Sequence, residues 1–271
     1  MNHFLKILVI FSAMALLAGC DNNRREPETK GIKIGELAPT GRRGFDLSGQ
    51  FLRTTNIDII TYELPVDKIA DLNGIWQTLD AGALRYTDAA GFAANGLRAG
   101  TSGYGNKNRI TTILKSIGAE KLSTTSLLIQ NGQVESVAFG WLNRKTAVSY
   151  IGQAGKVETA EVGPAVLALQ VYARQLPIGA AERKLSRIQV TPAILASMEG
   201  LPAELAARMQ KNDLRIHSAG FGLDMKPGDI ILLAPNPEKI SDATTAAGMF
   251  LTKIGLKPMV RVLLFVCTSI T

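Results

Sequence analysis

The sequence predicts an α+β protein: a small α/β unit over 51–122, then a mainly antiparallel β-sheet body with a few short helices over 123–271. Three observations carry this expectation. Residues 55–64 alternate in the manner of a strand, and two stretches after them, 69–79 and 110–117, place apolar residues at helical spacing. From 123 onward, alternating or continuous apolar runs recur about 8–14 residues apart, the texture of a meandering antiparallel sheet. Of 271 residues, 46% are hydrophobic and 20% charged, which is ordinary for a globular chain. A body of roughly 200 residues buries most of the surface its unfolded chain exposes. The same pattern also reads as one domain over 51–271.

In "TNIDIITYEL", Ile57, Ile59, Thr61 and Glu63 lie on one side and Asp58, Ile60 and Tyr62 on the other. Pro65 ends this strand. Asp67 is placed to cap a helix with apolar positions Ile69, Leu72, Ile75, Trp76 and Leu79, weakened by Gly74. The stretch 83–100 predicts short strands around turns at Gly91 and Asn95-Gly96. Ile110, Ile113, Leu114 and Ile117 share a helix face that stops at Gly118. Asn131-Gly132 within "SLLIQNGQVESVAFGW" predicts a hairpin. Runs at 145–152, 156–162, 164–175 and 183–190 continue the sheet. Residues 191–211 read as two helical pieces, with Pro192 and Pro202 in their first turns. A second hairpin is expected over 214–235, because Pro227 and Gly228 suit the two central positions of a type II turn. A short helix near 246–251 precedes "PMVRVLLFVCTSI", a strand apolar on both faces and therefore central.

The first residues read as a targeting segment. Lys6 is followed by an apolar run from Ile7 to Leu17 and then small residues, the layout of a signal peptide. That run has about 11 residues, whereas a spanning helix needs roughly 20. Leu17-Ala18-Gly19-Cys20 resembles the lipobox of bacterial lipoproteins. The resemblance implies removal of residues 1–19, a diacylglyceryl group on the Cys20 thiol and acylation of the new amine. It implies a protein of the bacterial cell envelope, held to a membrane by its lipid on the non-cytoplasmic side; Asp21 leans the choice towards the inner membrane. Each buried CH₂ contributes about 0.8 kcal/mol, so two or more acyl chains make a stable anchor. Residues 20–50, with Pro27, Pro39, several glycines and many charges, read as a flexible tether spanning on the order of 30 Å. With Cys20 acylated, Cys267 is the remaining thiol and no intramolecular disulfide is expected.

Signals for chemistry are sparse. His3 leaves with the signal peptide, so His217 stands alone, which excludes a zinc site built on two imidazoles of this chain. HExxH, paired CxxC, P-loop, GxSxG and SxxK patterns are absent from the sequence. No catalytic residue, metal or cofactor is therefore expected. His217 reads as an ordinary strand histidine and Cys267 as a small buried hydrophobe. The glycine-rich stretch "GTSGYGNKNR", 100–109, places Lys107 and Arg109 at the start of the second helix, where a small anion could sit on the helix N-terminus. The glycines of "SAGFGLD" read as a bulge or a close backbone approach. Asp224 and Asp229 flank the Pro-Gly turn as wet surface.

The net charge is +7 with a pI near 9.5, which reads first as a solvated, mildly basic surface and second as a weak attraction to anionic lipid head groups that suits a membrane-tethered protein. Basic residues are scattered and aromatics make up 6%, so nucleic acid is not an expected partner. The last 55 or so residues resemble the C-terminal part of bacterial secretins, through "KPGDIILLAP", "AGMFL" and "VRVLLFVCTSI". Cys267-Thr268-Ser269-Ile270 departs from the Thr-Pro ending of that family. The resemblance implies a β-hairpin sheet of secretin-like build and not a channel. The expected function is a membrane-anchored envelope lipoprotein that binds an envelope protein, as an assembly or accessory subunit. The alternative is a lipid-anchored binder or enzyme for a small anionic ligand at the 100–109 loop.

Overall fold

The strand Met259–Ile270 carries apolar side chains on both faces, and the rest of the fold is arranged around it. The computed structural model describes residues 53–177, 184–196, 213–240, 242–253 and 255–271. Its strands in the first half are β1 (Thr54–Pro65), β2 (Arg85–Tyr86), β3 (Leu97–Ser102), β4 (Glu120–Gln130), β5 (Gln133–Leu142), β6 (Thr146–Ile151) and β7 (Val157–Val162). Those in the second half are β8 (Ala165–Gln175), β9 (Ser186–Ala196), β10 (Leu214–Arg215), β11 (Phe221–Met225), β12 (Ile230–Pro235), β13 (Thr252–Lys253) and β14 (Met259–Ile270). The helices are α1 (Asn73–Trp76), α2 (Ala89–Ala94), α3 (Lys107–Ser116) and α4 (Ala246–Leu251).

Two antiparallel sheets result. The first runs β3-β12-β14-β1-β4 with β13 beside β14, and the second runs β2-β11-β9-β8-β5 with β10 beside β9; β6 and β7 form a separate pair. The protein is thus mostly antiparallel sheet with a few short helices, a β-rich α+β class. Register assigns the faces. Ile57, Ile59, Ile231, Leu233, Leu263, Phe265 and Cys267 of the first sheet pack against Val171, Ala173, Ile188, Val190, Phe221, Leu223 and Met225 of the second. The opposite face of the first sheet presents Ile60, Tyr62, Leu64, Leu232, Val262 and Leu264 to Ile69, Leu72, Ile75, Ile110 and Leu114. The first sheet is therefore buried on both sides, which is why β12 and β14 are apolar without alternation. The second sheet packs by one face only and keeps the period-two pattern that a half-buried strand requires.

Several expectations hold. β1, α3, α4 and a central β14 lie where the sequence places them, and Gly118 ends α3 at φ 83°. Others need correction. The Asn131-Gly132 and Pro227-Gly228 turns exist, with Gly132 at φ 81° and Gly228 at φ 91°, yet neither closes a paired hairpin. Each carries the chain from one sheet to the other: β4 pairs with β1 while β5 pairs with β8, and β11 pairs with β9 while β12 pairs with β14 and β3. Turn chemistry encodes a reversal of direction; the partner is chosen by where each strand's apolar face finds burial.

Gly91 is not a turn but the third residue of α2, whose N-terminus is capped by Asp88 Oδ1 accepting from the Gly91 N–H at 2.9 Å. A Cβ at Gly91 would lie 2.8 Å from Ser218 Cβ, so close packing explains the glycine. Residues 191–196 extend β9 instead of starting a helix. Pro192 is accommodated because it falls between the stretch of β9 paired with β11, which ends at Val190, and the stretch paired with β10, which starts at Ala193. Its carbonyl still accepts from the Ile216 N–H at 2.9 Å. Pro202 and the second expected helical piece lie outside the described residues. Asp67 makes no capping hydrogen bond; a 3₁₀ turn, Val66–Leu72, starts directly at Pro65 and leads into α1, still burying Ile69, Leu72 and Ile75. His217 lies not in a strand but in a 3₁₀ turn, His217–Ala219, bridging the gap between β10 and β11.

Candidate functional site: the open face of the second sheet

The alternation that buries one side of β8, β9 and β11 sets a matching row of side chains on the other. In β8 these are Gln170, Tyr172 and Arg174; in β9, Arg187, Gln189 and Thr191; in β11, Gly222 and Asp224. Antiparallel register aligns them across the sheet. One row reads Val134, Tyr172, Gln189, Gly222, Arg85, and the next reads Arg174, Arg187, Asp224. Gly222 provides a low point in the first row. A Cβ there would sit 2.6 Å from the Ile188 carbonyl oxygen and 3.2 Å from Gln189 Cγ, so the strands approach closely. The close backbone approach expected from "SAGFGLD" is thus present.

Around this low point opens a groove of 470 Å³, lined among others by Arg85, Tyr172, Arg187, Gln189, Arg215 and His217. Its electrostatics are one-sided. Asp224 is the carboxylate of the face: Oδ1 accepts from Arg187 Nε at 2.8 Å, and Oδ2 accepts from Arg85 Nη2 at 3.0 Å and Arg187 Nη2 at 3.2 Å. The Arg187 hydrogen bonds hold the Asp224 carboxyl below the usual range, against the opposing effect of its partial burial. Among the described residues, the guanidinium groups of Arg85, Arg174, Arg187 and Arg215 share this face with the Asp224 carboxylate. The Gln, Thr and Tyr side chains between them are donors and acceptors on a rigid sheet. Guanidinium forks and amide and hydroxyl groups of this kind are suited to oxygen-rich, negatively charged groups, through bidentate contacts and hydrogen bonds.

The residues singled out in the sequence are not gathered here. Lys107 and Arg109 lie at the start of α3, remote in sheet order from this groove. Lys107 Nζ stands 5.5 Å from the Tyr104 ring centroid, a cation–π contact, and Arg109 is exposed. Asn106, which precedes α3, uses its amide to donate to Ser102 Oγ at 2.7 Å. Asp224 is ion-paired and not merely wet surface, whereas Asp229 Oδ2 accepts from the Lys226 N–H inside the turn. Cys267 is fully buried in the intersheet core, and burial, with the Asp229 charge, pushes its thiol up to about 12. His217 is exposed at one end of the groove. Cys20 lies outside the described residues. The polar positions of β8 and β9 were readable from period-two alternation; Arg85 and Arg215 lie in two-residue strands and His217 in a 3₁₀ turn, all too short for a periodicity to be read.

Comparison with known proteins returned no matching family model, no matching curated protein and no matching solved structure.

Proposed function

We propose that the protein is a bacterial envelope lipoprotein, tied to a membrane through a lipid on Cys20, that acts by binding an acidic protein partner on the open face of its second sheet. The lipobox-like Leu17-Ala18-Gly19-Cys20 supports the anchor. The observation that carries the binding role is the outward face of β8, β9 and β11 with the flanking β2 and β10, on which the described residues include Arg85, Arg174, Arg187, Arg215, the Asp224 carboxylate and a groove beside them. Tyr and Arg on a preformed surface are the residue types that dominate binding energy at protein interfaces. In this reading Arg215 and His217 form the rim at one end, Tyr172 supplies the flat apolar contact, and Arg187 is held in place by Asp224.

The test is a pulldown from detergent-solubilised envelopes with the wild type and with Arg215→Glu. The reading expects a stoichiometric partner with the wild type and its loss with the variant, since reversing a rim charge opposes an acidic partner directly. Recovery of no stoichiometric partner across several growth conditions, or of the same partner with both proteins, contradicts it.

A further inference from the structure

The segment that precedes the described body joins it at Arg53, and the hydrogen bonds of that residue and the next locate the junction. Arg53 O accepts from the Asn131 N–H at 2.9 Å, and Thr54 N donates to Thr271 O at 3.3 Å. Asn131 Oδ1 in turn accepts from the Gln175 N–H at 2.7 Å, and Gln175 Nε2 donates to Thr54 O and Thr271 O. Gln175 is opposite Ser186, and Ser186 is opposite Met225. The start of β1 and the ends of β8, β11 and β14 therefore meet at one end of the two sheets. The Lys226–Asp229 turn belongs to the same end, since Gly228 N donates to Cys267 O at 2.7 Å. The start of α3 is there too: a Cβ at Gly228 would lie 3.2 Å from Tyr104 Cβ.

This end is basic. It carries Arg53, Arg174, Lys184 and Lys226, all exposed, and Lys107, half-buried against Tyr104. Among the described residues, the acids near it are Asp224, ion-paired with Arg85 and Arg187, Asp229, bonded within its turn, Asp58 on β1, which accepts from Ser126 Oγ, and Glu135 on β5. At the opposite end charges of both signs alternate, for example Glu63 with Arg261 and Lys68 with Asp71.

We infer that the Arg53 end of the body is a second membrane contact that takes an anionic phospholipid surface. This rests on the reading of residues 20–50 as the tether of a lipidated protein: a body tied to a bilayer by residue 53 presents the end bearing that residue most often. A positive patch there converts a loose tether into a preferred orientation, with the groove of the second sheet running up from the surface. Each Lys or Arg near an anionic bilayer strengthens partition by roughly fivefold at moderate salt, and the effect fades beyond a Debye length of about 10 Å at 0.1 M.

The experiment is vesicle co-sedimentation of the chain from residue 20 with Cys20→Ser, which has no lipid of its own. Phosphatidylcholine vesicles with and without phosphatidylglycerol are compared at low and high salt. Two variants of equal charge are set against each other: Arg174→Glu with Lys184→Glu and Lys226→Glu at the Arg53 end, and Lys121→Glu with Lys253→Glu and Lys257→Glu, exposed residues of the opposite end. Salt-sensitive binding that needs phosphatidylglycerol, lost by more than about a hundredfold in the first variant and changed only a few-fold in the second, is the expected result. No dependence on phosphatidylglycerol, or equal losses in both variants, overturns the inference. Arg174→Gln with Lys184→Gln and Lys226→Gln repeats the test should the first variant fold poorly. The result does not depend on lipidation: binding here with an unmodified Cys20 in cells keeps the basic contact and removes the anchor, while the converse keeps the anchor alone.

Discussion

Asp224 sets the charge balance of the open face, because it engages Arg85 and Arg187 together. Its folded carboxyl titrates below the ordinary value of 3.8, mainly through the Arg187 hydrogen bonds. The stability this pairing contributes is present above that ordinary value and is lost as pH falls through the lower folded one. Asp224→Asn is therefore expected to lower the melting temperature near neutrality, and the gap from wild type should close in strong acid. The same variant releases two guanidinium groups and should tighten binding of an acidic partner; a fall in both stability and affinity would show that positioning of Arg187 outweighs the removed negative charge. Cys267 shifts in the other direction. Its thiol is raised from 9.0 to about 12, first by burial. The neutral thiol's contribution is full below about pH 9 and drains away as pH rises towards 12. Native protein should resist alkylation in mildly alkaline buffer and label fully when unfolded; rapid native labelling would contradict its place in the core. Asn95 is fully buried, and its Nδ2 lies within hydrogen-bond distance of Gly91 O, Ile151 O and Ser218 Oγ, while Oδ1 accepts from the Ala246 N–H. It ties α2, β6, the His217 turn and α4 together. Asn95→Leu strands several buried polar groups and should cost roughly 3 kcal/mol in urea unfolding.

At the scale of elements, close strand approach is the property most sensitive to substitution. Gly222→Val places a branched side chain against the Ile188 carbonyl and the Gln189 stem, on the floor of the groove. A loss of about 1–3 kcal/mol is expected from overpacking, read as a lower thermal midpoint, together with weaker partner binding. An unchanged midpoint would mean that β11 can shift away from β9. Elements with a strong local signature were legible: the alternation of β1, the apolar stripe and terminal glycine of α3, and the unbroken apolar run of β14. The partners of turns were not. Asn131-Gly132 and Pro227-Gly228 reverse the chain, but the choice between closing a hairpin and crossing to the other sheet depends on β1 and β14, whose pairing residues lie far away in sequence. Pro192 misled for a related reason: a proline inside a strand is admissible only where a neighbouring strand is interrupted, and that interruption between β10 and β11 is invisible locally.

For the whole molecule, the pairing of β1 with β14 joins the first described strand to the last. Residues 53–122 contribute β1, β3 and the start of β4 to a sheet that β12 and β14 complete. A fragment ending at 122 leaves Ile57 and Ile59 without Phe265 and the second sheet. It is expected to show no cooperative thermal transition, and a sharp transition in that fragment would reveal an independent α/β unit. Half of the candidate groove was readable from the alternation of β8 and β9; the other half required the fold to bring Arg85, Arg215 and His217 beside them. The claim on which the functional account depends lies at Cys20, and mass spectrometry of the native protein tests it most directly. The account predicts a chain starting at Cys20 with a diacylglyceryl thioether and an acylated amine. A chain that retains residues 1–19, or one whose Cys20 carries a free thiol, would contradict it.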